Sequence, residues 1–163
     1  MTRELLIPIA RDVIEHAKAG TIKQASKVMR LPATHYTDSN RFKTEVEKLI
    51  KRVPIILGPS CEISKPGDFK TLSIAGMSLI VSRAEDGTAH AMINACSHRG
   101  ACLVKEESGN RRRFTCPYHG WSFSNVGNLM AVSAEKDFGT IDKNDYGLMS
   151  LPVYESAGLI WAI

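Results

Sequence analysis

Apolar and polar positions along the 163-residue chain follow a helical period up to about residue 52 and a strand period after it. Ile9, Ala10, Val13, Ile14 and Ala17 share one face of a helix, with Pro8 expected in its first turn and Gly20 as its stop. Ile22 to Met29 is ambiguous and ends before Leu31-Pro32. Thr37 or Asp38 can cap a longer helix, in which Phe42, Val46, Leu49 and Ile50 recur at helical spacing with Glu45, Glu47, Lys48 and Lys51 outside. Val53-Pro54 ends it. From Ile55 short runs take over: Ile55 to Leu57, Phe69 to Ile74, Ser78 to Arg83 and His90 to Ile93. Between them stand Lys65-Pro66-Gly67-Asp68, Ala75-Gly76 and Glu85-Asp86-Gly87, all turn material. Further strands are expected at Cys102 to Val104, Arg112 to Thr115, Ser122 to Ser124, Asn128 to Ala131 and Leu159 to Ile163, with 132–150 irregular. The pattern predicts an α-helical N-terminal segment (1–52), then a mainly β domain (53–163) built as an antiparallel sandwich or barrel.

Composition narrows this only a little. The formal charge of +4 is modest and spread out apart from Arg111-Arg112-Arg113, so no nucleic acid partner is expected. That triplet reads as a solvated face, and its sharper alternative is a docking patch for an acidic ferredoxin or reductase. No apolar run reaches membrane-spanning length, and the N-terminus carries neither a secretory nor a twin-arginine signal. The expectation is a cytoplasmic protein without a membrane partner. Of the four cysteines, Cys61 and Cys102 have no ligand-type neighbours and are expected to be small buried hydrophobes. His16, His35 and His90 likewise read as surface or satisfied polar residues, and Trp161 as core. The chain stops inside a strand-like run, Ile160-Trp161-Ala162-Ile163, which suggests a domain cut from a longer protein.

The chemistry concentrates between Ala95 and Phe123. Cys96-Ser97-His98 and Cys116-Pro117-Tyr118-His119 each offer one thiolate and one imidazole, with seventeen residues between His98 and Cys116. Gly100 and Gly120 follow as turn residues. Such a set suits a [2Fe–2S] cluster with Cys96 and Cys116 on one iron and His98 and His119 on the other. A structural zinc ion takes the same donors, but zinc fingers favour a cysteine pair followed by a histidine pair, whereas each loop here mixes the two. A catalytic Cys–His pair would not need the arrangement twice.

Cys96-Ser97-His98-Arg99-Gly100 and Cys116-Pro117-Tyr118-His119-Gly120-Trp121 resemble the Rieske signature of ring-hydroxylating oxygenase α subunits. Tyr36-Thr37-Asp38, the helix with Phe42 and Glu45, Lys65-Pro66-Gly67-Asp68-Phe69 and Gly158-Leu159-Ile160-Trp161 are similar to stretches of that family, so the resemblance runs from about Leu31 to Ile163. It implies a Rieske-type antiparallel β-sandwich with a small cluster-binding subdomain. Arg99, Gly100, Tyr118, Gly120 and Trp121 would surround the cofactor, with Tyr118 and Trp121 shielding it from water. It also implies one-electron transfer from a reductase or ferredoxin to a mononuclear iron that activates dioxygen, in a protein that is usually a homotrimer. That iron's domain is absent from this chain, whose other histidines all precede the cluster motif, so no catalytic residue is assigned here. The alternative is a stand-alone Rieske-type ferredoxin, although such carriers lack a helical preface like residues 36–52.

Two departures set the expected potential. The high-potential branch of the family staples its loops with an extra cysteine pair and places a serine after the second loop's glycine. Here Ala101 and Tyr118 occupy the staple positions and Trp121 the serine position, so the potential is expected at the low end of the Rieske range. An imidazole also keeps one N–H off the metal, and a ferric ion makes it more acidic than a ferrous one. The midpoint potential is therefore expected to fall as pH rises through the oxidised-state histidine values. Voltammetry across neutral to alkaline pH measures this, and a potential constant throughout would contradict it.

Overall fold

Gly20 ends the first helix, α1 (Arg3–Ala19), by entering the left-handed region at φ 63°, and the backbone N–H of Thr21 returns to the carbonyl of His16. The computed structural model describes residues 2–163 in two compact units, one through Asp38 and one from Ser39 to Ile163. Helix α1 starts at Arg3, so Pro8 sits inside it rather than in its first turn. The N–H that Pro8 lacks would have met the carbonyl of Glu4, which stays exposed to water. Residues 22–29 form no regular element, and a single turn, α2 (Thr34–Thr37), completes the first unit.

The second unit opens with α3 (Ser39–Glu45), which carries Phe42. It widens into a π-helical turn over Val46–Ile50, so the predicted helix is present but its last turn is not α. Eleven strands follow: β1 (Ile55–Pro59), β2 (Asp68–Ile74), β3 (Met77–Arg83), β4 (Ala89–Ile93), β5 (Ser108–Asn110), β6 (Arg113–Thr115), β7 (Ser122–Ser124), β8 (Leu129–Ala131), β9 (Ser150–Leu151), β10 (Val153–Ser156) and β11 (Leu159–Ala162). All pair antiparallel, as the strand pattern predicts, in sheets ordered β1-β11-β10, β5-β2-β3-β4-β9 and β6-β7-β8. Short β5, β9 and β10 escape the pattern because their residues are mostly exposed and do not alternate. Among the described residues no helix is long and apolar enough to cross a membrane.

Strand β3 decides the layering. It is central in its sheet, and its two faces feed different cores. Leu79 and Val81 join Leu57, Ile63, Ala91, Ile160 and Ala162 beneath the β1-β11-β10 sheet. Ile80, one residue on, packs with Phe69, Met92, Phe114, Trp121 and Phe123 against the small β6-β7-β8 sheet. Buried Ser82 and Asn125 couple those layers, with Ser82 Oγ donating to Asn125 O at 2.5 Å and Asn125 Nδ2 donating to Arg83 O at 2.9 Å.

Several expectations need correction. Cys102 to Val104 is not a strand, because its backbone bonds to the side chain of Asn94 instead of a ladder. Cys61 and Cys102 are exposed rather than buried: Ile63 is the buried residue of the Ser60–Ile63 turn, and the Cys102 thiol lies 3.3 Å from Val104 O. Trp161 is half-buried, because the pleat sends Ile160 and Ala162 inward and leaves Trp161 on the outer face between Ile56 and Tyr154.

On the other side, Arg83 donates to both oxygens of Glu155 (2.6 and 2.9 Å) and to the Ile63 carbonyl, joining β3 to β10. The Arg83 guanidinium holds the Glu155 carboxyl at about 2 instead of 4.5. A depressed carboxylate stabilises the fold above its unfolded value, and that contribution disappears as pH falls from about 4.5 to about 2. Glu155→Gln is expected to cost roughly 2 kcal/mol at neutral pH by stranding buried Arg83. It should also flatten the loss of thermal stability across that acid window, measured by calorimetry on both proteins.

Candidate metal centre

The two predicted loops are the same turn built twice. Cys96 N donates to Ala101 O at 2.8 Å and Gly100 N to Cys96 O at 2.8 Å; Cys116 N donates to Trp121 O at 2.7 Å and Gly120 N to Cys116 O at 3.1 Å. Each turn reverses at its glycine, Gly100 at φ 71° and Gly120 at φ 70°, where a side chain would be strained. Gly120 has a second reason: a Cβ there would meet Ser133 Cβ at 2.9 Å. The histidine stands two residues after the cysteine in the first loop and three after it in the second.

The loops bring the two thiols within reach of each other and set the two imidazoles side by side. Cys96 and Cys116 are 2 % and 3 % exposed, unbridged, and close enough for each thiol to influence the other. Burial pushes the Cys96 thiol up, the His98 backbone N–H pulls it back, and Cys116 pushes it up again. The half-buried rings of His98 and His119 lie 4.8 Å apart, centre to centre. Desolvation, then the neighbouring His119, lower the pKa of His98, the direction that favours the neutral ring a metal ligand needs. Among the described residues, no three His, Cys, Asp or Glu side chains gather about a single point. A tetrahedral zinc ion needs such a convergence, whereas a two-iron cluster needs a donor pair at each end. The donors fit the second case.

The surroundings are largely aromatic. Trp121, 2 % exposed, stacks on His98 with centroids 4.9 Å apart and planes within 7°. Phe138 meets both rings edge-on at 5.3 and 5.7 Å, and Tyr146 meets Trp121 at 5.6 Å. The Tyr118 ring lies 3.8 Å from that of His119, centre to centre, but is 64 % exposed, and Arg99 of the first loop is exposed as well. Phe138 and Tyr146 come from the stretch that reads as irregular, which Ser97 anchors by donating its hydroxyl to Tyr146 O at 2.7 Å. No periodic signal could have marked them.

Asn94 is the other residue that the sequence does not reveal. It is buried two positions before Cys96; its Oδ1 accepts from Leu103 N (3.1 Å) and Val104 N (3.0 Å), and its Nδ2 donates to Val104 O at 2.7 Å. One side chain thus replaces a strand partner for the segment leaving the first loop. The arginine triplet stays at the surface, with Arg111 paired to Glu106 and Arg112 to Glu85. His90 contacts Thr88, and in the first unit His16 contacts Thr21 and His35 is exposed.

A Rieske [2Fe-2S] domain model matches residues 53–154. The chain is 35% identical to the chlorobenzene dioxygenase α subunit of Cupriavidus sp., over 78% of this chain and 28% of that protein. It is 39% identical to the large oxygenase component of a naphthalene 1,2-dioxygenase system from Ralstonia sp., over 73% of this chain and 27% of that protein. The crystal structure of naphthalene 1,2-dioxygenase from Rhodococcus sp. bound to indole superposes with a TM-score of 0.76 at 30% identity, covering 99% of this chain and 35% of that one. The chain therefore spans less than a third of the length of these curated relatives.

Asn94→Ala would leave the buried N–H groups of Leu103 and Val104 without partners, and the Val104 carbonyl with only the weak Cys102 thiol donor. A loss of roughly 3 kcal/mol is expected, together with faster loss of bound iron, followed by denaturant titration and by bleaching of the visible absorption. Unchanged stability and iron retention would show that the clamp is dispensable.

Proposed function

The chain belongs to the Rieske [2Fe–2S] domain family, and from that premise we propose that it moves single electrons as the N-terminal part of a ring-hydroxylating oxygenase. Cys96 and Cys116 would hold one iron of the Rieske-type cluster and His98 and His119 the other. The observation that carries this is the separation of the donors into a thiol pair and an imidazole pair, each supplied by one of two matching turns. When bound, the cluster supplies a one-electron acceptor and donor whose potential is higher than that of an all-cysteine cluster.

The protein's own residues do the rest. The thiols are buried while the imidazoles reach the surface of the unit, so the imidazole edges form the way in and out for an electron. Trp121, Phe138 and Tyr146 keep water from His98 on its inner side. A reductase or ferredoxin would supply the electron, and a mononuclear iron in a following domain, reached within an assembly such as a homotrimer, would consume it. Aromatic rings are the expected substrate class, by similarity to relatives named for chlorobenzene and naphthalene. A cytoplasmic location belongs to the same proposal.

Anaerobically prepared protein is expected to be coloured and, once reduced, to give a rhombic EPR signal with nitrogen couplings from two histidines. A colourless, zinc-loaded protein would overturn the reading. His119→Cys adds a negative ligand and should lower the midpoint potential; an unchanged or raised value would contradict the ligand assignment.

A further inference from the structure

Trp121 is tied to both loops. Its backbone carbonyl closes the second by accepting from Cys116 N, and its indole lies flat on His98 of the first. The indole nitrogen is fully buried, yet its N–H has no hydrogen-bond partner. An indole N–H can only donate, and leaving one unmet in the interior costs free energy, so natural interiors seldom do it. A trapped water is a poor answer, since a water needs several polar partners and the surroundings are the rings of His98, Phe138 and Tyr146. Neither cysteine sulfur accepts a hydrogen bond from it.

Resting on the cluster reading above, we infer that the indole N–H of Trp121 donates its hydrogen bond to inorganic sulfide of the bound cluster. Trp121 is then a positioning residue that tunes the potential as well as a shield. It restores one donor at the position where the high-potential branch carries a serine. A donor to sulfur favours the reduced, more negative state, so the bond raises the potential within this low-potential site.

The test uses the reduced holoprotein with tryptophan isotopically labelled at the indole nitrogen. Pulsed EPR should show a coupling from that nitrogen in addition to the histidine couplings, and Trp121→Phe should abolish it. Trp161 in β11 belongs to another sheet and should contribute none. Trp121→Phe keeps an aromatic ring on His98 but removes the donor, so its midpoint potential should fall. Histidine couplings without the indole coupling would overturn this inference alone, as would an unaltered potential in the variant. Absence of the histidine couplings would overturn the cluster reading itself. Should the variant fail to assemble, the labelled wild-type protein still decides.

Discussion

Two short turns must be held against each other, and the second unit is organised around that constraint. Two turns of matching hydrogen bonds face each other, and each reverses at a glycine in the left-handed region, where a side chain would be strained. Each turn is only as rigid as what supports it. The first leans on Asn94, which binds the departing backbone from inside. The second is carried by the β6-β7-β8 sheet, whose Phe114 and Phe123 are buried in the same core as Cys96 and Cys116. Strand β3 links that core to the one below it by sending alternate residues to each.

Burial then grades the site electrostatically. The thiols sit where desolvation opposes their ionisation, which a positively charged metal centre can offset, and the imidazoles sit where solvent and other proteins can approach. The thiols are thus insulated and the imidazoles accessible. The exposed arginines do not extend this design, because Arg111 and Arg112 are engaged with Glu106 and Glu85.

Much of the centre was legible in the sequence because metal ligation demands particular side chains at short local spacing. Cys96, His98, Cys116 and His119 had few alternatives, and the glycines marked where each turn reverses. The helical and strand periods likewise gave the order of elements, with most strand positions within a residue or two of where they lie. The errors share a cause. Cys102 to Val104 has strand-like residues but finds a side chain as its partner, and Trp161 lies in a strand whose inward face belongs to its neighbours.

The sequence by itself therefore determined which cysteines and histidines are candidate donors, the two turns and the antiparallel class, since these depend on residue identity within a few positions. Only the tertiary structure decided that thiol meets thiol and imidazole meets imidazole, that Phe138 and Tyr146 close over His98 and Trp121, and that Asn94 stands in for a strand. Those contacts join residues far apart in the chain. They are set by which surfaces the two cores leave facing one another, and no local period encodes that.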